Sequence, residues 1–319
     1  VTSLVPLAEI ESAAAAVAPH IHRTPLVESR TLSERLGRRV SLKLELFQRT
    51  GSFKPRGALY EVMALSDEER SRGVVGLSGG NYAQGLAYSG ERLGVPIRVV
   101  MPASAPAASV EATTGYGAEI ELAPTMSEAF ERFDQYRAGG VTTLHPFDDP
   151  RMWAGNGSLG LEVVEDAPDL TDILVSIGGG GFITGVTSAV LALRPEVRVW
   201  GVETEGADAM RRALDAGKVV DIVPTSIATT LSAPRVAEST LAVAREHLED
   251  VVVGPDAEAV VALEVLAERV KVLAEPAASC TLAAAQQVRA RLGEHVVLVL
   301  CGGNVSLDDL TRWRAHFGG

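Results

Sequence analysis

Short, mostly apolar runs rich in Val, Ile and Leu alternate along the chain with longer Ala- and Leu-rich segments, and that alternation leaves few folds open. The short runs are Val40–Leu46, Val74–Leu77, Ile97–Met101, Glu119–Leu122, Ile173–Ser176, Val197–Val202, Val251–Val253 and Val296–Leu300. Several lack the period of a half-exposed strand, so they read as strands covered on both faces. The segments between them, Tyr82–Leu93, Ser127–Ala138, Gly181–Leu193, Ala257–Val272 and Ala277–Leu292, read as helices, as does the Ala-rich Ser12–Ala18. Strand and helix in turn imply βαβ units with right-handed crossovers, hence an α/β chain with mostly parallel sheets. Ligands of such sheets bind beyond the carboxyl ends of the strands, which directs attention to the strand-to-helix turns.

Charge narrows the partners. The chain carries 41 Asp and Glu against 29 Lys and Arg, a net charge of −12, and no basic run exceeds two residues (Arg38-Arg39, Arg211-Arg212). Such a surface repels phosphate backbones, so neither nucleic acid nor an anionic membrane is an expected partner. No apolar stretch reaches the ~20 residues that span a bilayer. Val1–Leu7 lacks the basic and apolar regions of a signal peptide, so none is expected. Two cysteines, Cys280 and Cys301, are too few for a disulfide framework. The expectation is a soluble, cytoplasmic protein. The sequence holds no HExxH, CxxC or GxSxG, and its six histidines show no metal-ligand spacing.

Four turns are unusual. The first reads Thr50-Gly51-Ser52-Phe53-Lys54-Pro55-Arg56-Gly57, and a lysine after an apolar strand is either a surface residue at a helix start or a nucleophile aimed into a cleft. An amine in an apolar site loses its proton more easily, as nucleophilic chemistry requires. The second, Ser78-Gly79-Gly80-Asn81-Tyr82, is either an ordinary cap or a seat where backbone N–H groups converge on a carboxylate. The third, Gly178-Gly179-Gly180-Gly181-Phe182-Ile183-Thr184-Gly185, spends backbone entropy and gains no packing, which suits a phosphate cradle. It matches neither G-x-G-x-x-G nor a P-loop, because Ile183 or Thr184 stands at the last glycine position and Val186 where a lysine is needed. The fourth, Cys301-Gly302-Gly303-Asn304, follows the last strand.

Taken together and in this order, the four turns resemble those of pyridoxal 5′-phosphate (PLP) enzymes of fold type II, in the serine/threonine dehydratase and serine racemase branch. Pro25-Leu26, Met101-Pro102, Tyr116-Gly117-Ala118 and His145-Pro146-Phe147-Asp148-Asp149 extend the resemblance over nearly the whole chain. It implies two doubly wound parallel-sheet domains with the cofactor between them. Residues 1–51 and 150–319 would form a discontinuous large domain and 52–149 a small mobile one. Lys54 would hold PLP covalently and later abstract the Cα proton. Phe53 would flank the cofactor ring, Asn81 would reach its 3′-hydroxyl, and Gly178, Gly179, Gly180 and Gly181 would hold its phosphate. Cys301 would meet the pyridine nitrogen as a neutral partner. Ser52, Ser78, Gly79, Gly80 and Tyr82 would bind the amino-acid substrate. A homodimer is typical of the branch.

The implied reaction is β-elimination from a β-hydroxy amino acid (threonine, serine or a bulkier analogue such as phenylserine), giving a 2-oxo acid and ammonia. The alternatives are PLP-dependent racemisation or β-replacement and, in another class, a non-catalytic binder of phosphate ligands. The chain departs from the pattern at Gly79, where racemases carry a serine, and at Tyr82, where the branch has histidine. Loss of a side chain at Gly79 disfavours racemisation, which needs a proton donor on each face, and suggests room for a bulkier β-substituent. Racemase-type members bind a divalent cation through Glu, a backbone carbonyl and Asp. Glu203 and Ala207 match the first two, while Ala209 stands at the third with Asp208 beside it. A C-terminal regulatory domain is not expected in a chain ending at Gly319.

Overall fold

In a computed structural model, residues 4–317 are described; the first three residues of the Val1–Leu7 segment and the end of the chain at Gly319 lie outside them. Two sheets carry the fold. Strands β1 (Leu26–Glu28), β2 (Arg39–Leu44), β7 (Asp172–Ser176), β8 (Arg198–Thr204), β9 (Asp250–Gly254) and β10 (His295–Leu300) join with β3 (Val74–Leu77), β4 (Ile97–Pro102), β5 (Glu119–Ala123) and β6 (Thr143–Leu144) in two sets. The larger sheet runs β1-β2-β10-β7-β8-β9 and the smaller β5-β4-β3-β6. All neighbours are parallel except β1 with β2.

The eight expected strands are present, most shifted by a residue or two at an end. Every residue of β10 is buried, as a strand roofed by helices on both faces must be. Val40–Leu46 is shorter than expected: β2 stops at Leu44, and Glu45–Phe47 forms a 3₁₀ turn that brings the Glu45 carboxylate onto Arg56. The expected helix Ala257–Val272 breaks into Asp256–Val265 and a wider π turn, Leu266–Val270, closed by Lys271 at φ 68°. The last long helix ends at Gln287 rather than Leu292. Strands β1 and β6, of three and two residues, are too short to show an apolar run. Among the described residues no helix is long and apolar enough to cross a membrane.

Register brings the turns together. Leu300 of β10 pairs with Leu44 of β2, so both strands end level. The chain leaving β2 is then stitched to the chain leaving β10: Phe53 N–H donates to the Cys301 carbonyl at 3.0 Å and Gly303 N–H to the Gly51 carbonyl at 2.9 Å. The carboxyl ends of the smaller sheet face those of the larger, because Asn304 Nδ2, after β10, donates to Asn81 Oδ1, after β3, at 2.8 Å.

Candidate active site

Lys54 opens the helix Pro55–Met63, where proline fits the first position because its missing N–H has no helical acceptor to lose. The helix Asn81–Leu93 seats directly on it: a Cβ at Gly85 would stand 2.9 Å from the Lys54 Cβ. The amine lies between two aromatic rings, 4.8 Å from the centroid of Phe53 and 5.8 Å from that of Tyr82. Lys54 as a whole is half-buried. Burial nonetheless lowers its pKa to about 8, against the opposing pull of Cys301, Glu275 and Glu61. Beside it, the hydroxyls of Thr50 and Ser52 are buried with no partner, and Thr50 holds a left-handed φ of 63° that non-glycine residues rarely adopt. Buried hydroxyls without partners add nothing to packing, and beside an amine they are free to meet a ligand.

The glycine turn after β7 has two faces. A Cβ at Gly179 would fall inside the Phe147 ring, one at Gly181 would meet the Phe147 carbonyl, and one at Gly180 would stand 2.6 Å from Thr240. Thr240 Oγ1 also holds the Gly179 carbonyl at 3.0 Å. Glycine is thus demanded by Phe147 and Thr240, which press on the turn. Among the described residues, the N–H groups of Gly178, Gly179, Gly180 and Gly181 find no protein acceptor at the start of the helix Gly181–Leu193. Four free donors at a helix N-terminus form an anion cradle.

Ser78, Gly79, Gly80, Asn81 and Tyr82 line the end of β3 as expected. Ser78 Oγ accepts the Gly80 N–H at 3.1 Å, and the N–H groups of Gly79 and Asn81 have no protein acceptor among the described residues. The space a Gly79 Cβ would fill is closed by Pro102 at 3.2 Å and Ala105 at 3.5 Å. A Cβ there would need Pro102 to give by a few tenths of an ångström.

Asn81 and Glu275 tie the two sheets. The Glu275 carboxylate accepts from Asn81 Nδ2 at 3.0 and 3.2 Å, from Thr230 Oγ1 at 2.8 Å and from the Asn304 N–H at 3.2 Å. Burial raises its pKa, while the bonds from Thr230 and Asn81 oppose the rise. Cys301 is buried with Ser176 Oγ at 3.4 Å, and burial pushes its thiol up to about 12, so it is neutral at working pH. Glu275, Thr230 and Thr240 escaped the sequence reading, and Phe147 entered it only as part of the segment His145–Asp149. Of the first three, Glu275 alone left a trace, as a single acid opening an Ala-rich helix.

The residues matching a cation site do not fit one. Both oxygens of Glu203 accept backbone N–H groups, from Met210 at 2.9 Å and Arg211 at 2.8 Å, which makes Glu203 the cap of the helix Ala209–Ala216. Ala207 turns back onto the Thr204 carbonyl, and Asp208 pairs with Arg212 at 2.9 Å. Among the described residues no group of three or more His, Cys, Asp or Glu is arranged to hold a metal.

The comparisons agree with this geometry. Residues 17–302 match the family described as pyridoxal-phosphate dependent enzyme. An L-threonine ammonia-lyase of Geobacter sulfurreducens is 38% identical over 312 residues, covering 97% of this chain and 78% of that one. A phenylserine dehydratase of Ralstonia pickettii is 37% identical over 321 residues, covering 99% and 98%. The solved structure of maize serine racemase superposes with a TM-score of 0.89 at 33% identity, covering 99% of this chain and 98% of the other. The chain therefore belongs to the pyridoxal-phosphate dependent enzymes of fold type II, in their serine/threonine dehydratase and serine racemase branch.

Proposed function

We propose that the chain eliminates water from a β-hydroxy amino acid, regains it on hydrolysis of the product, and releases a 2-oxo acid and ammonia. The observation that carries this reading is the Lys54 amine, poised near neutral pH in a cleft that holds an anion cradle on one side and free N–H groups on the other. The residues fit PLP: Gly178 to Gly181 would hold its phosphate, Phe53 would flank its ring, Asn81 would meet its phenolic oxygen and Cys301 its pyridine nitrogen. When bound, the cofactor supplies an electron sink for the pair left at Cα. Lys54 takes the Cα proton as general base, a role suited to an amine whose pKa lies near the working pH. The N–H groups of Gly79 and Asn81, with Ser52, Ser78, Gly80 and Tyr82 around them, orient the substrate carboxylate. Beside a bound cofactor, a neutral Cys301 thiol would give the pyridine nitrogen no anionic partner, which would favour prompt loss of the β-hydroxyl. Gly79 offers no acid on the opposite face, which weighs against racemisation.

Residues 52–149 are taken as the small domain and 1–51 with 150–319 as the large one, closing over substrate to exclude water. The smaller sheet lies wholly within the former. Cytoplasmic placement is supported by two free, buried cysteines. A homodimer is carried over from the branch.

The test is a panel of L-threonine, L-serine and L-phenylserine with the PLP-loaded protein. Ammonia and keto acid in equal amounts are expected; accumulation of the D-enantiomer without ammonia would replace elimination by racemisation. Gly179→Ala is expected to displace Phe147, distort the cradle and weaken PLP retention by roughly tenfold or more, measured by equilibrium dialysis. Retention equal to wild type would remove the cradle from the cofactor site.

A further inference from the structure

Behind Lys54 lies a carboxyl group that the proposed reaction does not use. Glu61, two turns along the helix Pro55–Met63, is wholly buried. Its Oε2 accepts a hydrogen bond from the Tyr82 hydroxyl at 3.1 Å, and its Oε1 has no partner at all. Tyr82 is 2% exposed, and its ring is one of the two that bracket the Lys54 amine. The bracket is rigid, because Gly85, one turn after Tyr82, presses on the Lys54 backbone. A packed core gains nothing from a buried acid with one oxygen unsatisfied, so the pair calls for an explanation other than stability.

We infer that Glu61 is a positioning residue for Lys54, acting through Tyr82: the hydrogen bond fixes the ring against which the amine rests. The inference rests on Lys54 being the anchor of the cofactor. The charged and titratable groups around the pair are accounted for on every side. Lys54 feels Cys301 and Glu275 from the larger sheet and Glu61 from its own helix. Burial holds the Glu61 pKa well above its ordinary value; Asp149 at the start of the helix Pro150–Asp166 adds to the rise, and Tyr82 from the helix Asn81–Leu93, Arg151 and Lys54 oppose it. Asp149 and Arg151 are forked onto one another, with Arg151 Nε 3.0 Å from Asp149 Oδ1, and so largely cancel. Glu61 is then an acid held toward its neutral form, and what it gives the amine is the fixed place of the Tyr82 ring.

The measurement is uptake of PLP by the cofactor-free protein, followed as growth of the visible band from about pH 6 to about pH 10, a range that covers amine titration in a buried site. The rate rises as the amine loses its proton, and its midpoint reports that loss. Glu61→Gln keeps an acceptor for Tyr82, whereas Glu61→Leu and Tyr82→Phe each remove the hydrogen bond and release the ring. Glu61→Leu and Tyr82→Phe are each expected to slow uptake above the midpoint by roughly threefold or more, the double variant by no more than the larger single effect, and Glu61→Gln to keep the wild-type rate. Uptake at the wild-type rate in folded Glu61→Leu or Tyr82→Phe overturns the inference while leaving Lys54 as anchor. A wild-type protein that forms no visible band at any pH overturns instead the PLP reading on which it rests.

Discussion

Replacing Lys54 by Ala is expected to give a folded protein that forms no covalent adduct with PLP and loses turnover by ~10³-fold or more, the scale of a positioned acid–base group that is also the nucleophile. Fold should survive because the lysine contributes no ion pair or side-chain hydrogen bond to the packing, and the backbone bond from Phe53 to Cys301 does not involve its side chain. Wild type treated with PLP and borohydride should gain the mass of one reduced adduct at the peptide containing Lys54, and the Ala variant none. Uptake by wild type should be slow below about pH 8 and level off above it, because the folded pKa is lowered to about 8 by burial. The sign also fixes a stability effect: a lysine whose folded pKa is depressed opposes folding while the unfolded chain binds the extra proton, and the opposition fades as pH rises through the unfolded value. Turnover near wild type in Lys54→Ala would remove the residue from the chemistry.

What the sequence disclosed followed from whether a signal is local. A strand such as β10, apolar in every residue but its first, announces itself because burial on both faces admits nothing else. The four turns were legible because glycine and lysine in a strand-to-helix connection have few ordinary reasons to be there. Glu275 and Thr230 could not be seen, because their meaning is a meeting: one carboxylate joins residues separated by 194 and 45 positions. Glu61 and Tyr82 are a milder case, 21 residues apart on two helices whose packing the sequence does not state. Glu203 shows the opposite error. A spacing shared with a cation site was read as a ligand set, while the fold spends both oxygens on a helix cap. The cut of Ala257–Val272 at Lys271 likewise turned on a left-handed residue that composition does not flag.

Arg56→Met is expected to destabilise the protein by about 3–5 kcal/mol, the cost of stranding a buried charge whose partner is removed. Arg56 lies two residues past Lys54 with no exposed surface. Its guanidinium forks onto Glu45 at 2.8 and 2.9 Å and onto Glu162 at 2.7 and 2.9 Å, and meets Ser158 at 3.0 Å. Lys43, equally buried, bonds Glu162 at 2.6 Å and the Thr24 carbonyl at 2.7 Å. Burial alone would raise the Glu45 pKa, but Arg56, Thr24 and Lys43 together hold it below its ordinary value. A carboxylate depressed in the folded state contributes stability above its unfolded pKa and loses it as pH falls through the folded one. Wild type should therefore weaken on acidification through the carboxylate range. The Met variant behaves the other way, since Glu45 without Arg56 can take a proton and shed the penalty of a buried charge. The difference in thermal midpoint between the two proteins should be largest near neutral pH and shrink toward about pH 5. A constant difference across that range would mean that Arg56 acts through packing volume and not through Glu45. Because Gly57 and Gly155 lock the Lys54 helix against Pro150–Asp166, with a Gly57 Cβ standing 2.8 Å from Asn156 Oδ1, the ion network and the amine belong to one rigid unit. Arg56→Met should accordingly also slow PLP uptake at temperatures where the variant is still folded, which separates loss of the Lys54 geometry from loss of the fold.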